Sequence, residues 1–169
     1  MRRTIALCLT LLILWAVVAE LNHALSEWRV YIFAGSLFVA FAAVTQTWAA
    51  GFATATFAGL LHDANSPVLF GTHVLLFILG HVTLAHIRDR VPRDDAIAAT
   101  VLTLLTNLAL FLLFSFTQIH GSPAAGIIWP RLLMDLLCSQ LFIAMVTPWF
   151  FALQARAIQI ARPWRGETA

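Results

Sequence analysis

Val30-Tyr-Ile-Phe-Ala-Gly-Ser-Leu-Phe-Val-Ala-Phe-Ala-Ala-Val-Thr45-Gln46-Thr47-Trp-Ala-Ala-Gly51-Phe-Ala-Thr-Ala-Thr-Phe-Ala-Gly59-Leu-Leu-His62 is a run without a single Asp, Glu, Lys or Arg. How it folds decides how often the chain turns. As one helix it would be about 50 Å long at about 1.5 Å per residue. A bilayer's hydrocarbon core is only about 30 Å thick. Thr45-Gln46-Thr47 and Gly51 supply a polar, flexible middle. The stretch therefore predicts two short spans, about 29–45 and 49–62, with one long tilted helix as the alternative.

Outward from this stretch the same pattern continues. Residues 4–19, 64–87, 96–130 and 136–155 also lack charge. A spanning helix takes about 17–25 apolar residues, so 4–21, 67–87, 97–117 and 128–153 each read as one span. The expected fold is all-α, a single polytopic transmembrane bundle of six helices. Composition agrees: the chain is 61% hydrophobic and 11% charged, with a mean hydropathy of +0.88. Soluble domains have about 45–50% apolar and about 25% charged residues. Too little polar surface exists to cover a globule, which excludes a soluble enzyme, a nucleic-acid-binding domain and a disordered linker. The two cysteines, Cys8 and Cys138, lie in apolar runs without a CxxC neighbour. They predict inert thiols and neither a disulfide framework nor a zinc site.

The arginines set the expected orientation. With six spans, Arg2, Arg3, Arg88, Arg90, Arg93, Arg156, Arg162 and Arg165 share one side, and Arg29 and Arg131 fall on the other. That positive-inside bias places both termini in the cytoplasm; five spans would split the clusters. Arg2-Arg3, the apolar run behind them and Val17-x-Ala19 also fit a cleaved signal peptide. The length of the run favours a retained first span.

Ionisable and small residues at membrane depth are the functional candidates. Asp63 reads by position as a helix-end carboxylate that stays wet. The alternative is a fixed carboxylate that organises a turn or meets a partner. Arg131 and Asp135 are four apart, so they share a helix face and are expected to pair, with a polar docking point for another helix as the alternative. Gly51, Ala55 and Gly59 form a small-residue stripe that admits a close neighbouring helix, expected within this chain. Asn107 is expected to bond between helices, and Pro148 to kink the last span. His73, His81 and His86 lack ligand spacing, and no metal, cofactor or catalytic constellation is expected.

Gly51-Phe52, Gly59-Leu60-Leu61-His62-Asp63 and Leu69-Phe70-Gly71-Thr72-His73, running on to Gly80, resemble the core of the MreD family of rod shape-determining membrane proteins. Ile128-Trp129-Pro130-Arg131 and Thr147-Pro148-Trp149-Phe150-Phe151, followed by a basic tail, are similar to that family's last helix. The resemblance implies a bundle similar to the substrate-binding subunits of energy-coupling-factor transporters, without catalysis or cofactor. It implies a seat in the bacterial inner membrane and a role in cell shape and peptidoglycan elongation. Its partners would be an MreC-like single-span coiled-coil protein and other wall-elongation membrane proteins. Gly59, Asp63, Gly71 and Pro148 are the motif positions, with no chemical role assigned. A substrate-binding subunit of a vitamin-type transporter is the alternative function.

Overall fold

The computed structural model describes residues 2–66, 69–90, 95–119 and 125–160. Its long elements are six α-helices: α1 (Arg2–Leu25), α2 (Gly35–Thr45), α3 (Trp48–Asp63), α4 (Thr72–Ile87), α5 (Ala96–Ile119) and α6 (Ala125–Ile160). No strand occurs among the described residues. The stretch from Val30 to His62 is indeed broken at Gln46 and Thr47, where Gln46 is extended and its N–H closes back on the Ala42 carbonyl. Two helices replace the one that would overrun the bilayer.

Several expected bounds need correction: α4 starts at Thr72 rather than 67, and α6 runs from Ala125 to Ile160 rather than over 128–153. The second helix does not start at 29. Residues 30–34 have no regular secondary structure, and α2 begins only at Gly35. A 3-10 turn at Ser26–Trp28 ends α1, closed by Arg29 in the left-handed region at φ 56°. At 11 residues, α2 rises only about 16 Å. It is apolar or small on every side, and every residue from Gly35 to Val44 is buried. A helix without a polar face belongs in the middle of a bundle, and α2 touches α3, α4, α5 and α6.

The helices alternate in direction. At one end, the Thr10 hydroxyl donates to Gln154 Oε1 at 2.8 Å. There too, Arg88 Nη1 donates to the Gln46 carbonyl at 3.0 Å. Asp95 and Ala96 face Pro148 and Ala152 across a small cavity at this same end. At the opposite end lie Asn22, Tyr31, Asp63, Phe116 and Asp135, each in contact with a neighbouring element. Three helical stretches, Leu7–Trp28, Ala96–Ile119 and Ile128–Ala157, are long and apolar enough to cross a membrane. Their outward faces carry Ile13, Val17, Leu105, Phe116, Leu141 and Met145, all exposed. Such a surface is stable against lipid and not against water.

Candidate functional site

Two groups of polar side chains gather at the Asp63 end, and both hold backbone. The first begins where α4 begins. A helix leaves its first N–H groups without partners. The N-cap residue here is Gly71, in the left-handed region at φ 100°, and it has no side chain to offer. Asp63, at the last turn of α3, supplies the acceptor from outside. Its Oδ2 accepts from the N–H of Gly71 at 2.9 Å and of Val74 at 3.3 Å. Its Oδ1 accepts from the N–H of His73 at 2.9 Å and from His73 Nδ1 at 2.8 Å. A carboxylate offers about four lone-pair sites, and all are taken. A negative charge at a helix N-terminus is also favoured by the helix dipole.

Asp63 is therefore not wet: it is 4% exposed. The reading of a loop-facing carboxylate is overturned because three backbone donors and an imidazole, all inside the bundle, outbid water. The carboxylate also settles the tautomer of His73, whose Nδ1 must carry the proton to donate. The His73 ring then stacks on His62, centroids 5.5 Å apart, and lies 4.7 Å from the Phe114 ring. Phe33 and Phe77 close the other sides.

The approach of α3 to α4 depends on the small-residue stripe. A Cβ on Gly59 would stand 2.5 Å from Val74 Cα and 2.7 Å from its nitrogen. A Cβ on Gly51 would overlap the His81 ring. Ala55, between them, is fully buried. The stripe packs within the chain, at the helix that Asp63 caps.

The second group holds the irregular segment that leads into α2. Backbone without secondary structure survives at membrane depth only where protein groups satisfy it. Tyr31 N–H donates to Asp135 Oδ1 at 2.9 Å. Ile32 N–H donates to Asn22 Oδ1 at 2.7 Å, and Asn22 Nδ2 returns a bond to the Ile32 carbonyl at 3.0 Å. Phe33 N–H donates to Ser139 Oγ at 2.9 Å, while the Ser139 hydroxyl donates to the Asp135 carbonyl at 2.6 Å. Three consecutive amides are thus met by side chains from α1 and α6.

This arrangement corrects the expected Arg131–Asp135 pair. Arg131 is exposed and forms no ion pair with Asp135, which is 6% exposed and turned to Tyr31. An amide with no other acceptor is the stronger claimant on a buried carboxylate than an arginine that water can solvate. Asn107 departs from expectation as well: it is fully buried, and neither end of its amide has a hydrogen-bond partner. Pro148 lies exposed within α6, which continues through it to Ile160. Its neighbour Thr147 is fully buried and donates to the Ile143 carbonyl at 2.6 Å.

Asn22, Tyr31 and Ser139 were not among the sequence candidates. For Ser139 a signal existed: Asp135, Ser139, Ile143 and Thr147 recur every fourth residue along α6, and all four are buried. Among the described residues, no three His, Cys, Asp or Glu side chains gather closely enough to hold a metal ion. Comparison of the chain with protein-family models, with curated proteins and with solved structures finds no match.

Proposed function

We propose that this chain is a non-enzymatic membrane scaffold of the rod-shape elongation complex, as the resemblance to MreD implies. It crosses the bacterial inner membrane six times with both termini in the cytoplasm, and binds an MreC-like single-span coiled-coil protein. One observation carries the reading. The motif residue Asp63 has all its lone pairs engaged by Gly71, His73 and Val74. A carboxylate so saturated has no site left for a reacting proton, and what it can do is fix a corner. Gly59 and Gly71 serve the same corner, so the motif builds a rigid surface at one end of the bundle. The alternation of the six helices, and the sequence's excess of arginine in the segments that six spans would put on one side, support the topology. In that topology the Asp63 corner faces the periplasm, the side on which a coiled-coil partner would extend. Lateral contacts between helices in lipid contribute about 0.6–2 kcal/mol per hydrogen bond, added to small-residue packing.

The test is capture of the tagged protein from its native membranes in detergent, with partners identified by mass spectrometry. Recovery of a single-span coiled-coil protein with wall-synthesis enzymes is expected. The yield should fall in Asp63→Ala while the protein stays inserted. Recovery of ATPase subunits with a coupling protein would overturn the reading in favour of a transporter subunit.

A further inference from the structure

The two clamps leave a cavity between them. It has a volume of ≈ 190 Å³ and lies between the second half of α1, the irregular segment before α2 and the loop that leaves α3. Its lining is Trp15, Asn22, Tyr31, His62, Asn65 and Ser66, with two small apolar residues of α1. No Asp, Glu or Arg is among them. The Tyr31 hydroxyl, the His62 imidazole, the Ser66 hydroxyl and the Trp15 indole N–H make no hydrogen bond to the protein. Asp63 and Asp135 lie beside the cavity but are not part of its lining. Asp63 is saturated, and Asp135 is turned to the Tyr31 amide.

The backbone behind these groups is fixed. Tyr31 is held by Asp135, Asn22 is locked to Ile32 by a pair of bonds, and His62 precedes the Asp63 clamp and stacks on His73. Polar groups that are held in place and unengaged are what a binding site needs, because the ordering cost is already met. The chemistry of the occupant follows from the lining. The lining offers no counter-charge to repay the desolvation of an ion, so the occupant that fits it is uncharged. Trp15 and Tyr31 offer flat apolar rings with polar tips. The imidazole, the hydroxyls and the Asn65 amide both donate and accept. At about 30 Å³ per water, the space holds about six water molecules, which is below the range of drug-sized pockets.

We infer that this cavity binds an uncharged, hydroxyl-rich group about the size of one sugar ring. Such a group can arrive as a free polyol from the aqueous side or as the headgroup of a glycosylated lipid. The site stands apart from the scaffold reading, and the assay below uses the purified chain without partners, so either can fail alone.

The experiment follows tryptophan fluorescence of the protein, purified in a detergent without a sugar headgroup, on titration with methyl glucoside. A second arm uses phosphatidylcholine vesicles with and without monoglucosyl diacylglycerol. Saturable change in the first arm identifies a soluble polyol, and change in the second arm alone identifies a lipid headgroup; either supports the site. Tyr31→Phe and Ser66→Val each remove one hydroxyl and leave the clamp amides in place. Each is expected to weaken binding about tenfold, with an unchanged unfolding temperature. The absence of a saturable response in both arms, or a response that neither variant weakens, overturns the proposal. Equal binding of glucose 6-phosphate overturns the assignment of an uncharged occupant.

Discussion

The α3–α4 corner and the start of α2 meet the same need with different means. Both are places where backbone donors lie inside an apolar bundle without a helical partner. At the corner one carboxylate serves them all, and donors and acceptor lie eight to eleven residues apart in sequence. At the start of α2 three side chains serve one amide each. Asn22 lies ten residues from its partner, while Asp135 and Ser139 lie 104 and 106 residues from theirs. The first arrangement is local and charged, and it depends on one residue. The second is distributed, and it ties α1, α2 and α6 together. Concentration makes a clamp strong and vulnerable; distribution makes it tolerant of a single loss and dependent on the whole fold.

Asp63→Ala breaks the comparison hardest. It strips the acceptor from three amides and from the His73 ring at once. The expected loss is about 3 kcal/mol, combining a lost cap with buried donors left unmet. Thermal unfolding in detergent measures it, and hydrogen exchange locates it: residues 71–74 should exchange faster while 31–33 keep their protection. An unfolding temperature equal to that of the unaltered chain would show that the corner does not depend on this carboxylate.

Asn22→Leu comes next, at about 2 kcal/mol for the two bonds to Ile32. The effect should stay at residues 31–33, because Asp135 and Ser139 remain in place. Should residues 71–74 loosen as well, the two clamps form one cooperative unit and the contrast between them dissolves.

Gly71→Ala separates charge from conformation at the corner. Nothing lies within 4 Å of where a Cβ would stand, so the only cost is a side chain at φ 100°. That is worth about 1 kcal/mol. The carboxylate contacts should survive, and exchange at residues 73–74 should match the unaltered chain. Gly59→Ala is the counter-case, since there a Cβ meets the Val74 backbone and packing, not φ, decides. A Gly71→Ala loss as large as that of Asp63→Ala would mean that the left-handed turn, and not the charge, holds α4.

The corner was largely legible in the sequence. Gly51, Gly59 and Asp63 stand at helical spacing on one element, and the polar Thr45-Gln46-Thr47 marks the break before it. Its burial was not legible, because the donors come from a turn whose geometry depends on the φ of Gly71. The start of α2 was hardly legible at all. Tyr31-Ile32-Phe33 reads as more apolar helix, and nothing within ten residues shows that Asp135 and Ser139 will meet it. The cavity was hidden for the same reason: Trp15, Tyr31 and Ser66 converge only after both clamps have closed.

Arg131→Ala is the smallest expected effect and the sharpest test of why spacing misled. Four residues apart on a helix, Arg131 and Asp135 invite a pair. The carboxylate is instead spent on Tyr31 N–H at 2.9 Å, and the guanidinium lies on the exposed side. Removing an exposed cation that makes no contact ion pair with Asp135 should change stability by less than about 0.5 kcal/mol. Asp135→Ala, by contrast, leaves the Tyr31 amide unmet and should cost about 1–3 kcal/mol. In a double-mutant cycle the coupling between the two positions should then be close to zero. A coupling of about 1 kcal/mol or more would mean that the pair forms in the membrane after all, and that Asp135 serves Arg131 and Tyr31 together.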